Sequence, residues 1–242
     1  MIYAKFAEIY NELMDDSLYE KWSNYVQQRS QKSTLLELAC GTGDLAILLK
    51  KAGYEVTATD LSIEMLEIAA KKIEANNEYF ELAQLNMLDL SPMGTFDTIT
   101  CFDDSICYLS DKKQLQLAFN QAYEHLTDNG KYLFDAHSLY QMDEVFPGYM
   151  YNFKNENSAF MWSSYEGEVP HSIEHDLTFF DWNEDKQAYD VSEELHKERT
   201  YELEVYLKCL KKAGFKDVKV TSDFGNEEVN ESSTRWFFEC SK

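Results

Sequence analysis

A glycine-rich turn is the segment of this sequence whose residue types and spacing suggest chemistry most directly. Residues 35–44, LLELACGTGD, run from an apolar stretch through Gly41 and Gly43 into a helical pattern. Glycine lets the backbone approach a ligand closely, and open α/β sheets bind cofactors at such turns, beyond the carboxyl ends of their strands. The turn therefore predicts a cofactor-binding site.

Charges near the turn separate two classes of cofactor. Residues 41–46 satisfy the GxGxxA pattern of dinucleotide-binding proteins, and Asp60 lies at the distance expected for a ribose contact. The pyrophosphate of a dinucleotide would lie beside the carboxylates of Glu37 and Asp44, which would weaken its binding. S-adenosylmethionine has no phosphate and carries an ammonium and a sulfonium. The acidic turn therefore favours S-adenosylmethionine and leaves NAD(P) as the alternative.

Apolar runs of strand length alternate with amphipathic helical patterns through the middle of the chain. The predicted strands are 35–39, 56–59, 80–85, 96–102 and 131–136, and the predicted helices are 45–52, 62–75 and 111–126. Such alternation requires crossover connections between parallel strands. It predicts an α/β fold with a doubly wound, mostly parallel Rossmann-like sheet.

The pattern changes after His137. Residues 149–199 are rich in aromatic and charged residues with period-two stretches, which indicate antiparallel strands. A helix over 202–213 resumes the main fold, and apolar runs at 218–221 and 236–240 predict a C-terminal antiparallel hairpin. The sequence thus predicts an antiparallel β subdomain inserted into an α/β domain.

Two helical patterns precede the first strand. Residues 3–14 have apolar residues at helical spacing, and Ser17 has the capping-box spacing to Glu20 that predicts the start of a second helix. We therefore divide the chain into three parts. These are an N-terminal helical lid (1–33), a Rossmann-like cofactor-binding domain (34–138 and 200–242) and an inserted antiparallel subdomain on the substrate side (139–199).

Several motifs, in order, resemble those of the class I S-adenosylmethionine-dependent methyltransferases. The matching segments are ELACGTG (37–43), ATDLSIEML (58–66), NMLDL (86–90) and FDTI (96–99). The opening FAEIYNELM (6–14) is similar to a subgroup with the pattern FAxxYDxLM, whose N-terminal helices cover the cofactor. The resemblance extends over residues 34–136 and, more loosely, over the N-terminal helices and the tail.

The resemblance implies a cofactor-binding role for each matching position. The implied set is Tyr10, Trp22, Glu37, Ala39, Gly41, Gly43, Asp60, Leu61, Met65, Asn86, Met87 and Phe102. It implies that residues 37–43 hold the methionine part, Asp60 the ribose, residues 61–65 and 86–87 the adenine, and Phe102 the methyl end. Asn86 stands where acidic residues are common in the family. Tyr10 and Trp22 have the alternative role of attaching the N-terminal helices to the domain.

Three side chains are candidates for proton transfer or substrate binding. Asp103 and Asp104 follow the fourth predicted strand and His137 ends the fifth, so topology places them at the same edge as the cofactor. The aspartates could instead cap a turn, and His137 could be a packed core residue. Alignment alone can supply about 7–11 kcal/mol in a displacement of this kind, so a dedicated base need not exist.

Composition limits the partners. The formal charge of −22 repels phosphate backbones and anionic lipid, so we expect neither a nucleic-acid nor a membrane partner. The five cysteines are scattered without a CxxC pair, and we expect no metal site. The first residues lack a secretion signal, which predicts a cytoplasmic protein.

The sequence therefore predicts an S-adenosylmethionine-dependent methyltransferase that acts on an unidentified small molecule. The aromatic and acidic inserted segment would suit an amine or an aromatic compound. Three alternatives stay open: an NAD(P)-dependent oxidoreductase, a non-catalytic S-adenosylmethionine-binding partner protein, and methylation of a protein or RNA.

Overall fold

A seven-stranded sheet organises the computed structural model, which describes residues 16–242. Its strands are β1 (Thr34–Leu38), β2 (Glu55–Asp60), β3 (Glu81–Gln84), β4 (Phe96–Cys101), β5 (Leu126–His137), β10 (Asp217–Thr221) and β11 (Arg235–Ser241). The order is β10-β11-β5-β4-β1-β2-β3, with β1 to β5 parallel and β10 and β11 antiparallel. The predicted doubly wound sheet and its C-terminal hairpin are thereby confirmed.

Five helices cover this sheet in the described part of the chain. They are α1 (Asp16–Arg29), α2 (Asp44–Ala52), α3 (Ile63–Ala75), α4 (Lys112–Glu124) and α5 (Leu203–Ala213). Ser62 caps α3 as predicted, because its hydroxyl accepts a hydrogen bond from the Met65 amide at 3.2 Å. The predicted helix over 3–14, and Tyr10 with it, lie outside the described residues.

Two predicted boundaries are wrong. Helix α1 already includes Asp16, so Ser17 lies within the helix and does not cap it. Strand β5 begins at Leu126, although the Asn129-Gly130 pair predicted a turn before a strand at Lys131. Asn129 has a φ of 66°, and the pairing with β4 shifts register there, so residues 127–130 form an irregularity within the strand.

The inserted segment forms its own antiparallel sheet, also as predicted. Its strands are β6 (Met150–Lys154), β7 (Ser158–Glu166), β8 (Ser172–Asn183) and β9 (Ala188–Arg199), hydrogen-bonded in that order. One face buries Phe160, Leu177 and Phe179. After β9 the chain rejoins the main fold, where the Thr200 hydroxyl donates to the His137 carbonyl at 2.6 Å. That bond attaches the inserted sheet beside the carboxyl end of β5.

The core of the main sheet is rich in stacked aromatic rings. Phe134 on β5 and Phe238 on β11 are opposite each other in the antiparallel pair, with ring centroids 4.3 Å apart and planes within 2°. Phe134 packs on one face of the sheet, and its neighbour Leu133 packs on the other. Both faces are therefore buried, as the helices on either side require.

We expect Phe238→Ala to lower the free energy of unfolding by about 3–5 kcal/mol, because it leaves a cavity in this fully buried stack. Tyr79→Ala is the matched control, since Tyr79 is 89% exposed. Chemical denaturation of both variants measures the difference. A loss below about 1 kcal/mol for Phe238→Ala would contradict the assignment of this stack to the rigid core.

Candidate active site

The glycine turn between β1 and α2 has a backbone that few residue types accept. Ala39, Gly41 and Gly43 have φ values of 52°, 54° and 81°. A Cβ at Gly41 would meet no atom of residues 16–242 within 4 Å, whereas one at Gly43 would lie 3.1 Å from Ala69 Cβ on α3. Gly43 therefore permits close packing of two helices, and the Gly41 backbone is uncovered by the described part of the chain. Such a cradle suits a ligand at the carboxyl end of β1.

Asp60, at the end of β2, is bonded to this turn. Its Oδ2 accepts from the Gly41 amide at 2.8 Å, and its Oδ1 accepts from the Ser62 amide at 2.8 Å. Burial raises the pKa of the carboxyl, and the backbone N–H groups oppose that rise. Each carboxylate oxygen keeps a second lone pair that a ribose hydroxyl could use. The ribose contact stays a prediction, and Asp60 fixes the turn in any case.

Glu37 is a buried acid for which residues 16–242 supply no neutralising partner. It is 4% exposed, and its Oε2 has no hydrogen-bond partner among residues 16–242. Burial raises its pKa well above the usual range, and the nearby carboxyls of Asp44 and Asp60 raise it further. An orphaned acceptor beside an open glycine turn fits the ammonium group of S-adenosylmethionine, because that cation would supply the missing partner.

Asp44 differs from the sequence expectation. Lys72 on α3 forms an ion pair with it, and the Thr42 hydroxyl donates to it at 2.8 Å. The negative charge that Asp44 was expected to give the turn is therefore largely offset. Glu37 and Asp60 are then the carboxyls at the turn whose charge would favour a cationic ligand.

The other predicted cofactor contacts differ in exposure. Leu61 is 58% exposed, whereas Met65 is buried. Asn86 is exposed, and its side-chain oxygen accepts from the Leu88 amide at 3.0 Å. Met87 is half-buried and packs against the main core. Leu61 is thus the accessible apolar surface on the adenine side, and the roles of all four positions stay predictions.

Trp22 and Phe102 lie together in the core. Their ring centroids are 6.4 Å apart, and the Tyr25 ring packs edge-on against Phe102. The indole N–H of Trp22 donates to Asp135 Oδ2 at 2.8 Å. These contacts attach α1 to the sheet, which was one of the two roles predicted for Trp22; its contact with the cofactor stays a prediction.

A polar cluster lies at the carboxyl ends of β4 and β5. Asp103 and Asp104 have φ values of 54° and 48°, and the Asp104 amide donates to Asp135 Oδ1 at 2.8 Å. Arg235 Nη2 lies 2.5 Å from Asp104 Oδ1 and 3.8 Å from Asp103 Oδ1. Arg235 Nη1 lies 3.1 Å from Asp135 Oδ2. One guanidinium therefore holds three carboxylates at the carboxyl ends of these strands.

His137 extends this cluster toward the inserted sheet. Its Nε2 lies 3.2 Å from Asp104 Oδ1 and 3.7 Å from Oε2 of Glu198 on β9. Glu198 Oε1 lies in turn 3.6 Å from Nε2 of His175 on β8. The structure therefore brings the predicted residues Asp104 and His137 into contact, and it adds two residues from the insertion.

The carboxyls of this cluster have different proton affinities. Burial alone would raise the pKa of Asp104, but His137 and Arg235 hold it well below its usual range. Burial and the nearby Asp104 raise the pKa of Glu198 well above its usual range, although Arg235 opposes the shift. Asp104 is therefore a permanent anion at neutral pH, whereas Glu198 is a basic site that can hold a proton.

Three of these groups also lie close enough together to bind one metal ion. One ligand atom from each of Asp104, His137 and Glu198 lies within 4.8 Å of the others. Arg235 already forms an ion pair with Asp104, however, and the positive charge of its guanidinium would repel a divalent cation. The chemistry of the cluster fits proton handling better than metal binding.

Sequence reasoning missed four residues of this cluster. Asp135 had a signal, because an acid in the apolar run YLFDA resembles the position of Glu37 in LLELA. Arg235 is the first residue of β11 but has no distinguishing sequence pattern. Glu198 and His175 are ordinary polar positions in alternating strands, and only the docking of the insertion brings them to the site.

The fold and the site together define a class of protein. The methyltransferase-domain family model matches residues 35–130. A protein of Geobacillus sp. strain WCH70 named as a methyltransferase is 39% identical over 248 residues, covering 100% of both chains. YqeM of Bacillus subtilis strain 168, also named as a methyltransferase, is 37% identical over 244 residues, covering 100% of this chain and 98% of that one.

A solved structure of a methyltransferase also resembles this chain. An S-adenosylmethionine-dependent methyltransferase from Clostridium acetobutylicum ATCC 824 is 28% identical, with a TM-score of 0.86 over 99% of this chain and 98% of that one. The chain belongs to the class I S-adenosylmethionine-dependent methyltransferases. It is an enzyme of that family, with S-adenosylmethionine as its cofactor, and the NAD(P) alternative is not favoured.

In the part of the chain that the structure describes, none of the helices has both the length and the apolar character needed to cross a membrane.

We expect Glu37→Gln to have opposite effects on stability and cofactor binding. Above the ordinary glutamate pKa of about 4.3, the unfolded chain releases the proton that the folded site retains. The free energy of unfolding of the cofactor-free wild type therefore falls with rising pH in that range. The variant lacks this loss, so it should be the more stable protein at pH 8 without ligand.

The same substitution removes the charged acceptor for the ammonium group, so affinity for S-adenosylmethionine should fall about tenfold to a hundredfold. Thermal unfolding across pH and calorimetric titration with S-adenosylmethionine measure the two effects. Glu55→Gln, which changes an exposed carboxyl at the start of β2, is the control. Unchanged affinity in folded Glu37→Gln would remove Glu37 from the cofactor site.

Proposed function

We propose that this methyltransferase transfers its methyl group to the nitrogen of a small amine. The observation that carries this proposal is the buried carboxyl Glu198, whose Oε2 has no hydrogen-bond partner within residues 16–242 and lies 3.7 Å from His137 Nε2, at the cluster that also contains Asp104. At neutral pH an aliphatic amine in water is protonated to an ammonium ion. A buried acid that lacks a partner would bind that cation. A neutral hydroxyl would gain less from such a site.

The proposed cofactor position follows from the turn and from the orphaned oxygen of Glu37. Glu37 and the open backbone at Gly41 would hold the amino-acid end, Asp60 would hold the ribose, and Leu61 would contact the adenine. When bound, S-adenosylmethionine supplies an electrophilic methyl group. Strands β1 and β4 are neighbours at the point where the strand order reverses, which is where such sheets bind ligands. The acceptor would therefore approach from Asp104 and His137.

Asp104 and His137 would orient the acceptor rather than deprotonate it. Asp104 is held ionised by Arg235 and His137, so it attracts an ammonium ion but accepts a proton poorly. His137 lies between Asp104 and Glu198 and can bond to either. Fixing the nitrogen in line with the methyl group is the main contribution such a site can make.

The inserted sheet would close the substrate side. Phe146 packs edge-on against both His137 and His175, with centroids 4.9 and 4.8 Å apart. The indole of Trp162 lies beside His175 on the same side. These rings would exclude water from the acceptor, and an apolar wall of this size suits a small organic amine. The formal charge of −22 further favours a cationic small molecule over a nucleic acid.

The first test is a transfer assay with tritiated S-adenosylmethionine and a panel of small primary and secondary amines, each paired with the matching alcohol. We expect label in the amines and none in the alcohols, because only the amines present a cation to the buried carboxyls. Label in the alcohols alone would overturn the proposal.

We expect Asp104→Asn to reduce transfer to the best amine of that panel about tenfold to a hundredfold, because it removes the charge that pairs with Arg235 and His137. Asparagine tolerates the left-handed backbone at this position, which favours a folded variant. Affinity for S-adenosylmethionine should stay near the wild-type value. Asp128→Asn, at an exposed position of β5, is the control, and equal rates in all three proteins would exclude Asp104 from the reaction.

A further inference from the structure

The inserted sheet contributes a carboxyl whose surroundings match those of a proton acceptor. Glu198 is 5% exposed, and its Oε2 has no hydrogen-bond partner within the described range 16–242. That oxygen lies 3.7 Å from His137 Nε2, at the cluster where the acceptor would be held. A buried polar atom without a partner is costly, and a ligand that supplies a donor would remove the cost.

His175 lies beside the other oxygen of Glu198, and Tyr108 is a hydrogen-bond partner of the same carboxyl. The indole N–H of Trp162 lies 3.1 Å from His175 Nδ1, and an indole N–H can only donate. Nδ1 is therefore the acceptor, and the proton of neutral His175 is on Nε2, directed at Glu198 Oε1 3.6 Å away. The hydroxyl of Ser164 also bonds to Nδ1, at 2.8 Å. Trp162 and Ser164 thus fix the tautomer that faces Glu198.

His175 supplies a hydrogen-bond donor without a charge. Burial lowers its pKa to about 4, so it is neutral at physiological pH. It orients the Glu198 carboxylate but does not neutralise it. Asp104 differs, because the guanidinium of Arg235 lies against it. Of the two carboxyls beside His137, only Glu198 keeps a high affinity for a proton.

We propose that Glu198 is the group that accepts the proton of the substrate ammonium, and that His175 is the positioning residue that aims it. This inference rests on the proposed function. The charged and titratable groups that face Glu198 are Asp103, Asp104, Cys107, Tyr108, His137, His175 and Arg235, with Glu194 and His196 on its own strand.

The proton and electron pairs balance in this step. The ammonium gives one proton to Glu198 Oε2 and so regains a lone pair. The nitrogen then bonds to the methyl carbon as the carbon–sulfur bond breaks, and the electron pair of that bond stays on sulfur. The product leaves as a methylated ammonium ion. Glu198 returns its proton to water before the next substrate binds.

Calorimetry on the protein saturated with S-adenosylhomocysteine tests the binding part. The probe is methylamine, the smallest amine with this head group, and methanol is its neutral counterpart. Wild type should bind methylamine about tenfold or more tightly than methanol, and Glu198→Gln should lose that preference. Glu194→Gln is the matched control, because Glu194 is buried on the same strand and face but is bonded to His196. It should bind as wild type does.

The pH profile of kcat/KM for the best amine tests the proton transfer. In wild type, the acid limb of the profile should reflect the protonation of Glu198. In Glu198→Gln, the limb should move up to the pKa of the free amine. His175→Leu removes the N–H group that lies 3.6 Å from Oε1 and leaves the Tyr108 contact in place, so it should also move the limb upward. His175→Gln, whose amide N–H can replace Nε2–H, should restore it. This pair decides the matter even if Glu198→Gln does not fold.

Each outcome separates the two proposals. Amines methylated by Glu198→Gln with the wild-type pH profile would overturn the role of Glu198 and leave the proposed function intact. A wild type that does not prefer methylamine to methanol would overturn both.

Discussion

The buried carboxylate of Asp135, at the end of β5, is the interaction on which the rest of the site depends. It is fully buried and accepts from the Trp22 indole and the Asp104 amide, and it pairs with Arg235. Three separate parts of the chain, α1, the loop after β4 and the start of β11, are thereby fixed to one strand. Removing that acceptor would leave the Trp22 indole and the Asp104 amide without their partner in the interior, and Arg235 without one of its carboxylates, which is costly.

The site concentrates acids that do not stabilise the free protein. Glu37 and Glu198 are both buried, both have one oxygen without a partner among the described residues, and both have raised pKa values. Burial of such groups opposes folding. The free-energy cost of burying these carboxyls has an explanation if each one binds a cationic ligand. Glu37 would bind a cation of the cofactor, and Glu198 would bind the cation of the acceptor. Stability is given up at the two positions where a positive charge would bind.

The two sheets have different tasks in this arrangement. The parallel sheet presents the glycine turn, Asp60 and the Asp104 cluster along one edge, because the carboxyl ends of its strands all point the same way. The antiparallel sheet packs beside that edge through Phe146 and the bond from Thr200 to His137. Glu198 and His175 of that sheet therefore join the Asp104 cluster, although they follow His137 in the chain by 61 and 38 positions.

The sequence by itself determined the fold class, the glycine turn and the acids at the ends of β1 and β2, because these depend on local periodicity and on residues close in the chain. It also placed Asp104 and His137 at one edge. It missed the irregular start of β5, since the Asn129-Gly130 pair is equally suited to a turn and to an irregularity in a paired strand. It could not find the Lys72 partner of Asp44, or Arg235, Glu198 and His175. Their roles arise from side chains that are distant in sequence and meet only when helices and sheets pack. No local sequence pattern indicates such contacts.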